Sequence, residues 1–190
     1  MFDGDVFVAE DWRLGDEVLH ADLLQTKFSA YLYWRQHGFG GGVRGEVFAT
    51  SVVEAADGGL LMARSVAGTL NSGQYLSPGG LFDARDMGPG GMIDVAGAAA
   101  RELAEETGLD GSDVVRRPGY LVACVAPYLA IASVFGSHLD GCRLLERVNR
   151  HLAAQAAPEL EAPCIITGRD ELESLPTTRF TRLLSEAHLA

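Results

Sequence analysis

Apolar residues recur at two periods along the chain, and the changes of period mark its elements. Val6 to Ala9 is a short apolar run that predicts a strand. From Asp16 to about Trp34, the residues Leu19, Leu23, Leu24, Phe28 and Leu32 fall at helical spacings and predict a helix. The segment Gly38-Phe39-Gly40-Gly41-Gly42 then interrupts any regular pattern. It divides an N-terminal appendage, residues 1–42, read as a strand plus a helix too short to stand as an independent domain, from a main domain at 43–190. Glu46 to Glu54 is rich in β-branched residues, Asp57-Gly58-Gly59 is a turn signal, and Leu60 to Ser65 completes a hairpin.

Asn71 to Gly91 reads as loop, dense in glycine. A helix is expected from about Val95 to Thr107, with Asp94 as its N-cap and Gly108 at the position a left-handed C-terminal glycine takes. Tyr120 to Ala126 and Tyr128 to Phe135 are strand candidates divided by Pro127. Arg143 to about Gln155 is an amphipathic helix, Cys164 to Thr167 a strand and Thr178 to His188 a closing helix. Strands and helices interspersed in this way predict an α/β domain with helices for both faces of a sheet. No internal repeat is present.

The chain has 190 residues, 47% hydrophobic and 22% charged, the balance of an ordinary globular domain. A chain of this length buries roughly 70% of its unfolded surface and needs no covalent staple. The formal charge of −11 argues against a nucleic-acid partner, which needs clustered Lys and Arg. It leaves room for small phosphorylated ligands, because a metal ion reconciles acidic residues with phosphate. Cys124, Cys142 and Cys164 form neither a disulfide framework nor a zinc pattern, and buried free thiols are expected. His20, His37, His138, His151 and His188 share no metal-ligand spacing. Without a basic, apolar leader and without an apolar run of about 18 residues, a cytoplasmic protein with no membrane contact is expected.

The informative stretch is Arg101-Glu102-Leu103-Ala104-Glu105-Glu106-Thr107-Gly108-Leu109. On a helix, Arg101, Glu105, Glu102 and Glu106 fall within an arc of roughly 140°. Ala96, Ala100 and Leu103 lie opposite and are expected to face the core. Like charges at i, i+3 and i+4 repel unless a partner cancels them. A divalent cation does so, and hard oxygen donors are what Mg2+ or Mn2+ prefers. Arg101 can pair with Glu105 one turn on.

The run R-E-L-x-E-E-x-G-L resembles the second half of the Nudix box, the signature of Nudix hydrolases. Pro78-Gly79-Gly80 and Leu60-Leu61-x-x-Arg64 stand upstream as in that family. The resemblance covers about Glu46 to Phe135. It departs from the usual box between Gly80 and Arg101: Asp86 stands where Glu is usual, and about seven extra residues follow it, rich in glycine. A second registration pairs Gly88 with Asp94 and falls one residue short; the first confines its excess to a plausible loop.

The resemblance implies the Nudix fold, an α/β/α sandwich around a mixed β-sheet. It implies metal-dependent hydrolysis of the diphosphate linkage in a small molecule, a nucleoside diphosphate joined to another moiety (ADP-ribose, nucleotide-sugar or coenzyme A type), with Mg2+ or Mn2+ as cofactor. Glu106 would be a direct metal ligand, with Glu102 and Glu105 binding metal directly or through water. Arg101 would orient a carboxylate, Asp86 would orient Arg101, and a backbone carbonyl near Gly79 or Gly80 would add a ligand. Arg64, Gly79 and Gly80 would meet the substrate. Many relatives place the general base outside the box, and Glu159 and Glu161 are the candidates here. Homodimers are common among relatives with N-terminal extensions, so a homodimer is the partner the resemblance implies.

Leu60-Leu61, Arg64, Ser65 and Gly73 match part of a coenzyme A diphosphatase motif, but Thr69 and Ser77 depart from it. Pro127 lies farther from the box than the proline of ADP-ribose diphosphatases. Arg116 and Arg117 are candidates for phosphate contact or for plain solvent exposure. Tyr31, Tyr33 and Trp34 form an aromatic cluster read as core or dimer contact, with stacking on a nucleobase as the less favoured alternative. The rival reading is a nucleotide-binding sensor of the same fold without hydrolytic activity. An isopentenyl-diphosphate isomerase is disfavoured, since no cysteine stands in a matching motif.

Overall fold

The computed structural model describes residues 3–189. In chain order the elements are β1 (Asp5–Leu14), β2 (Leu19–Lys27), α1 (Phe28–His37), β3 (Gly45–Glu54), β4 (Leu60–Ser65), β5 (Tyr75–Leu76), β6 (Gly79–Leu81), α2 (Val95–Thr107), β7 (Val114–Arg116), β8 (Leu121–Val125), β9 (Tyr128–Ser137), α3 (Gly141–Ala154), β10 (Leu160–Ile166), α4 (Arg169–Ser174) and α5 (Arg179–His188).

The strands form one mixed sheet. Its main path runs β10-β4-β3-β1-β2; β9 lies beside β3 and carries β7 and β8, while β5 pairs with β4 and β6 with β3. The β3–β9 pair is parallel, from Glu46 opposite Tyr128 to Glu54 opposite Gly136, and every other ladder is antiparallel.

Period-two alternation along β3 and β9 sorts the core into two layers. Val47, Ala49 and Val53 of β3, with Leu129, Ile131 and Phe135 of β9, join Ala98, Ala99 and Leu103 of α2 and Leu144 and Val148 of α3. Phe48 and Val52, with Ala130 and Ala132, face Phe180 and Leu184 of α5 on the other side. The expected α/β/α sandwich is therefore built on strands buried on both faces.

The reading of Asp16 to Trp34 as one helix is corrected: Leu19–Lys27 is a strand hydrogen-bonded along the whole of β1, and only Phe28–His37 is helical. Leu19, Ala21 and Leu23 alternate toward one core cluster, while Leu24, Phe28 and Leu32 pack in another with Val6, Val8 and the buried Tyr31. A spacing of four satisfies period two as well as period 3.6, and pairing with β1 decides between them. β1 is also longer than the expected Val6 to Ala9, and the residues before Gly38 hold two strands and a helix.

Within the expected loop from Asn71 to Gly91, β5 and β6 form, followed by a 3-10 turn at Ala84–Asp86. The thiols expected to be buried are not: Cys124 and Cys142 are exposed and Cys164 is half-buried, all three free.

Candidate active site

Helix α2 carries the acidic run, and its ends are set by the residues the sequence indicated. The Asp94 side chain accepts from the Gly97 amide at 2.9 Å. Gly108 closes the helix at φ 73°, a left-handed conformation that costs a residue with a Cβ about 1 kcal/mol or more. The buried side of α2 is Ala98, Ala99, Leu103 and Thr107, whereas Ala100 is exposed and Ala96 only partly covered, a correction to the expected core face. The rotation follows from β3, where the Ser51 hydroxyl donates to the Ala99 carbonyl at 2.9 Å. Glu102 and Glu106 thereby flank the buried stripe, and Glu105 faces out.

The loop before β6 is fixed on the same strand. The Thr50 hydroxyl and the Ser51 amide both donate to the Pro78 carbonyl, at 2.9 and 2.8 Å. The next amide, that of Gly79, donates to Glu106 Oε2 at 2.9 Å. The Glu102 carboxylate lies directly over Gly80, where a Cβ would stand 2.6 to 2.8 Å from its three terminal atoms. Both glycines thus belong to the site; the contact made by Gly79 is through its amide, where the sequence suggested a carbonyl ligand in this region.

Arg101 commits all three guanidinium nitrogens. Nε and Nη2 grip the buried Asp86 carboxylate at 2.9 to 3.2 Å, and Nη1 donates to Glu102 at 2.7 Å and to Glu105 at 3.2 Å. Asp86 is thus the residue that orients Arg101, as the first registration of the box requires. The seven following residues loop out and return: Met87 bridges Ile93, and the Asp94 amide donates to the Asp86 carbonyl at 2.8 Å. The insertion therefore leaves the spacing between Asp86 and α2 intact.

A cleft of about 330 Å³ is lined by Glu102, Glu105, Glu106 and Glu159, with Gln155, Ala156 and Ala157 completing its wall. The structure thus brings Glu159 to the box carboxylates. Glu161, two residues on, instead pairs with Arg64 at 3.0 Å, both side chains close to half exposed and neither lining the cleft. Burial pushes the Glu106 pKa well above its ordinary value; the Gly79 amide opposes this, and the charges of Glu102, Glu159 and Glu105 add to it. Burial likewise raises the pKa of Glu102, against the pull of Arg101.

Three side chains on α3 and at its C-cap, none of them assigned to the site from the sequence, anchor the far end of α2. Arg147 donates to the Gly108 carbonyl at 2.6 Å, and His151 Nε2 and Gln155 Nε2 lie 3.0 and 2.8 Å from the Glu105 carbonyl. Their i, i+4, i+8 spacing was the available signal; these groups meet the carbonyls that a helix terminus leaves without partners. Arg116 stacks on Tyr120 and Arg117 pairs with Glu54 at 2.7 Å, so neither lines the cleft.

Among the described residues, no three Asp, Glu, His or Cys side chains are drawn together closely enough to hold a metal ion as placed. The chemistry of the donor set nonetheless fits one. The cleft offers only carboxylates as charged donors, and a cation relieves both the burial of Glu106 and the repulsion among its neighbours.

A profile of the NUDIX domain matches residues 45–177. The chain belongs to the NUDIX domain family. Similar folds include a MutT protein from Methanosarcina mazei (18% identity, 75% of this chain and 91% of that one, TM-score 0.48). They also include a Nudix hydrolase from M. smegmatis, RenU (14%, 75% and 82%, 0.49), and a C. elegans Ap4A hydrolase (14%, 74% and 94%, 0.47). No curated protein sequence matches. Among the described residues, no helix is long and apolar enough to cross a membrane.

Proposed function

We propose that the protein is a divalent-metal-dependent pyrophosphohydrolase acting on a nucleoside diphosphate joined to another moiety, of ADP-ribose, nucleotide-sugar or coenzyme A type. The observation that carries this reading is the cleft walled by Glu102, Glu105, Glu106 and Glu159 in a chain with a Nudix domain. Glu106, Glu102 and Glu105 would hold Mg2+ or Mn2+. When bound, such an ion neutralises the diphosphate and lowers the pKa of a water. Arg101 keeps Glu102 and Glu105 in place, and Asp86 keeps Arg101 in place. Glu159, at the cleft wall outside the box, takes the proton of the attacking water as general base. Glu161 is the weaker candidate because Arg64 neutralises it away from the cleft.

The test is a substrate panel of ADP-ribose, nucleotide sugars, coenzyme A, dinucleoside polyphosphates and nucleoside triphosphates, with Mg2+ or Mn2+ and with EDTA. Turnover is expected only with metal, and to fall by at least about 10²-fold in Glu106→Gln and in Glu159→Gln, while Glu161→Gln stays near wild type. Unaltered turnover in Glu106→Gln would refute the metal-holding role. Silence across the panel, with thermal stabilisation by one of the nucleotides, would replace the hydrolase by a sensor.

A further inference from the structure

The substrate class proposed above is a polyanion, yet the cleft wall is carboxylate. Arg101 has no nitrogen to spare for a phosphate, since Asp86, Glu102 and Glu105 take all three, and its side chain is only 18% exposed.

Arg85 stands differently. Its side chain is 61% exposed, and Asp83 grips one edge of the guanidinium, with Nε and Nη2 each donating to Asp83 Oδ2 at 2.9 and 2.7 Å. The same carboxylate accepts the Arg85 backbone amide at 2.7 Å. Asp83 is itself tied by its amide to Asp86 Oδ2 at 2.9 Å. A continuous chain of hydrogen bonds thus runs from Arg101 through Asp86 and Asp83 to Arg85, and it fixes where the guanidinium points. What it leaves over is Nη1, which reaches Glu105 Oε1 at 3.3 Å, the longest hydrogen bond either arginine makes here. Nη1 carries two hydrogens, and Glu105, half exposed on the cleft wall, takes one of them. Glu105 also keeps a second partner in Arg101.

We propose that Arg85, which meets the cleft through Glu105 rather than lining it, is a substrate-contact residue: the Nη1 hydrogen that Glu105 leaves over takes a non-bridging oxygen of the diphosphate beside the Glu105 wall. This rests on the reading of the cleft as a diphosphate site. A guanidinium held at one edge and open at the other presents its donors in a fixed fork. A lysine keeps the charge and loses both the fork and the grip of Asp83.

The probe is α,β-methylene-ADP, a non-hydrolysable diphosphate, titrated calorimetrically with Mg2+ into wild type, Arg85→Ala, Arg85→Lys and Arg143→Ala. Arg143 is exposed, pairs only with Asp140 among the described residues, and stands eleven residues before the end of α3 at Ala154, roughly 16 Å along the helix axis from the end that adjoins the cleft wall at Gln155. It controls for the lost charge. Arg85→Ala is expected to bind about tenfold more weakly, Arg85→Lys to fall between, and Arg143→Ala to stay within about twofold. Melting curves of all four are expected to agree, because Asp83 caps its turn through the Arg85 backbone amide in every variant.

Arg85→Ala binding as tightly as wild type overturns this proposal and leaves the hydrolase reading intact. Equal weakening in Arg85→Ala and Arg143→Ala assigns the effect to net charge and also overturns it. A wild-type protein that does not bind the probe overturns both readings.

Discussion

Alanine at Gly79 and alanine at Gly80, introduced separately, strike the fold and the site respectively. Neither glycine has a positive φ, so the backbone accepts a Cβ at both and the outcome depends on what that Cβ meets. At Gly79 it would stand 2.4 Å from the Ala49 carbonyl oxygen and 2.7 Å from Thr50 Cα. Both atoms are backbone of β3, the strand that β1, β4, β6 and β9 all join, and neither yields without opening a ladder. Overpacking of this kind costs about 2–3 kcal/mol, a fall in Tm of roughly 4–12 °C for a chain of this size. At Gly80 the atoms met are the carboxyl end of Glu102, a flexible side chain that rotates away. Stability should then change by less than about 1 kcal/mol. The displaced carboxylate leaves Arg101 and the cleft wall, and a misplacement of about 1 Å in a reacting constellation is worth on the order of 10²-fold in rate. Thermal melting and metal-dependent hydrolysis, measured on both variants, separate the effects. Full activity in Gly80→Ala, or equal melting of the two variants, would refute the reasoning.

Asp86→Ala leaves Arg101 without its buried partner and should destabilise the protein by about 2–4 kcal/mol in urea denaturation while abolishing hydrolysis. Arg35→Met removes the cation paired with Glu46, a buried carboxylate that also accepts from Tyr31 at 2.7 Å, and should cost about 3–5 kcal/mol by the same measurement. The raised pKa of Glu106 means that the folded protein holds this proton more tightly than the unfolded chain does. Its contribution is fully present below the ordinary value of 4.5 and is lost as pH rises through the folded value. Metal-free Glu106→Gln should therefore melt above metal-free wild type at pH 7, and the two should converge near pH 4 in calorimetric scans.

The box helix was legible because its signals are local. A cap, a terminal glycine and carboxylates at i, i+3 and i+4 all lie within one stretch of chain, and each was found where the spacing put it. The β2 region was not legible, because its apolar spacing suits two periods and the decision rests on β1. Asp86 was placed by counting from Gly80, but nothing in the sequence showed that the insertion closes on itself through Met87 and Ile93. The separation of Glu159 from Glu161 follows from the β10–β4 register, in which Glu161 stands opposite Arg64. Arg85 and the α3 anchors act across gaps in the sequence; the i, i+4, i+8 spacing of the anchors marks a shared face but does not show what that face meets.

The parallel pairing of β3 with β9 bears on how the chain is made. Glu46 meets Tyr128 and Glu54 meets Gly136, and β4 through β8 with α2 all lie within that span. The entropy of closing so long a loop is lost before the central ladder forms, which places folding among the slower mixed topologies. On a ribosome moving at about 5–20 residues per second, β3 waits roughly 4–16 s for its partner. During that wait α2 can already cover the Ala49 side through Ala98, Ala99 and Leu103. The Phe48 and Val52 side stays bare until α5 is synthesised. The nascent chain is therefore most exposed to aggregation on one identifiable face, and the site helix is in position to shield the other well before synthesis ends.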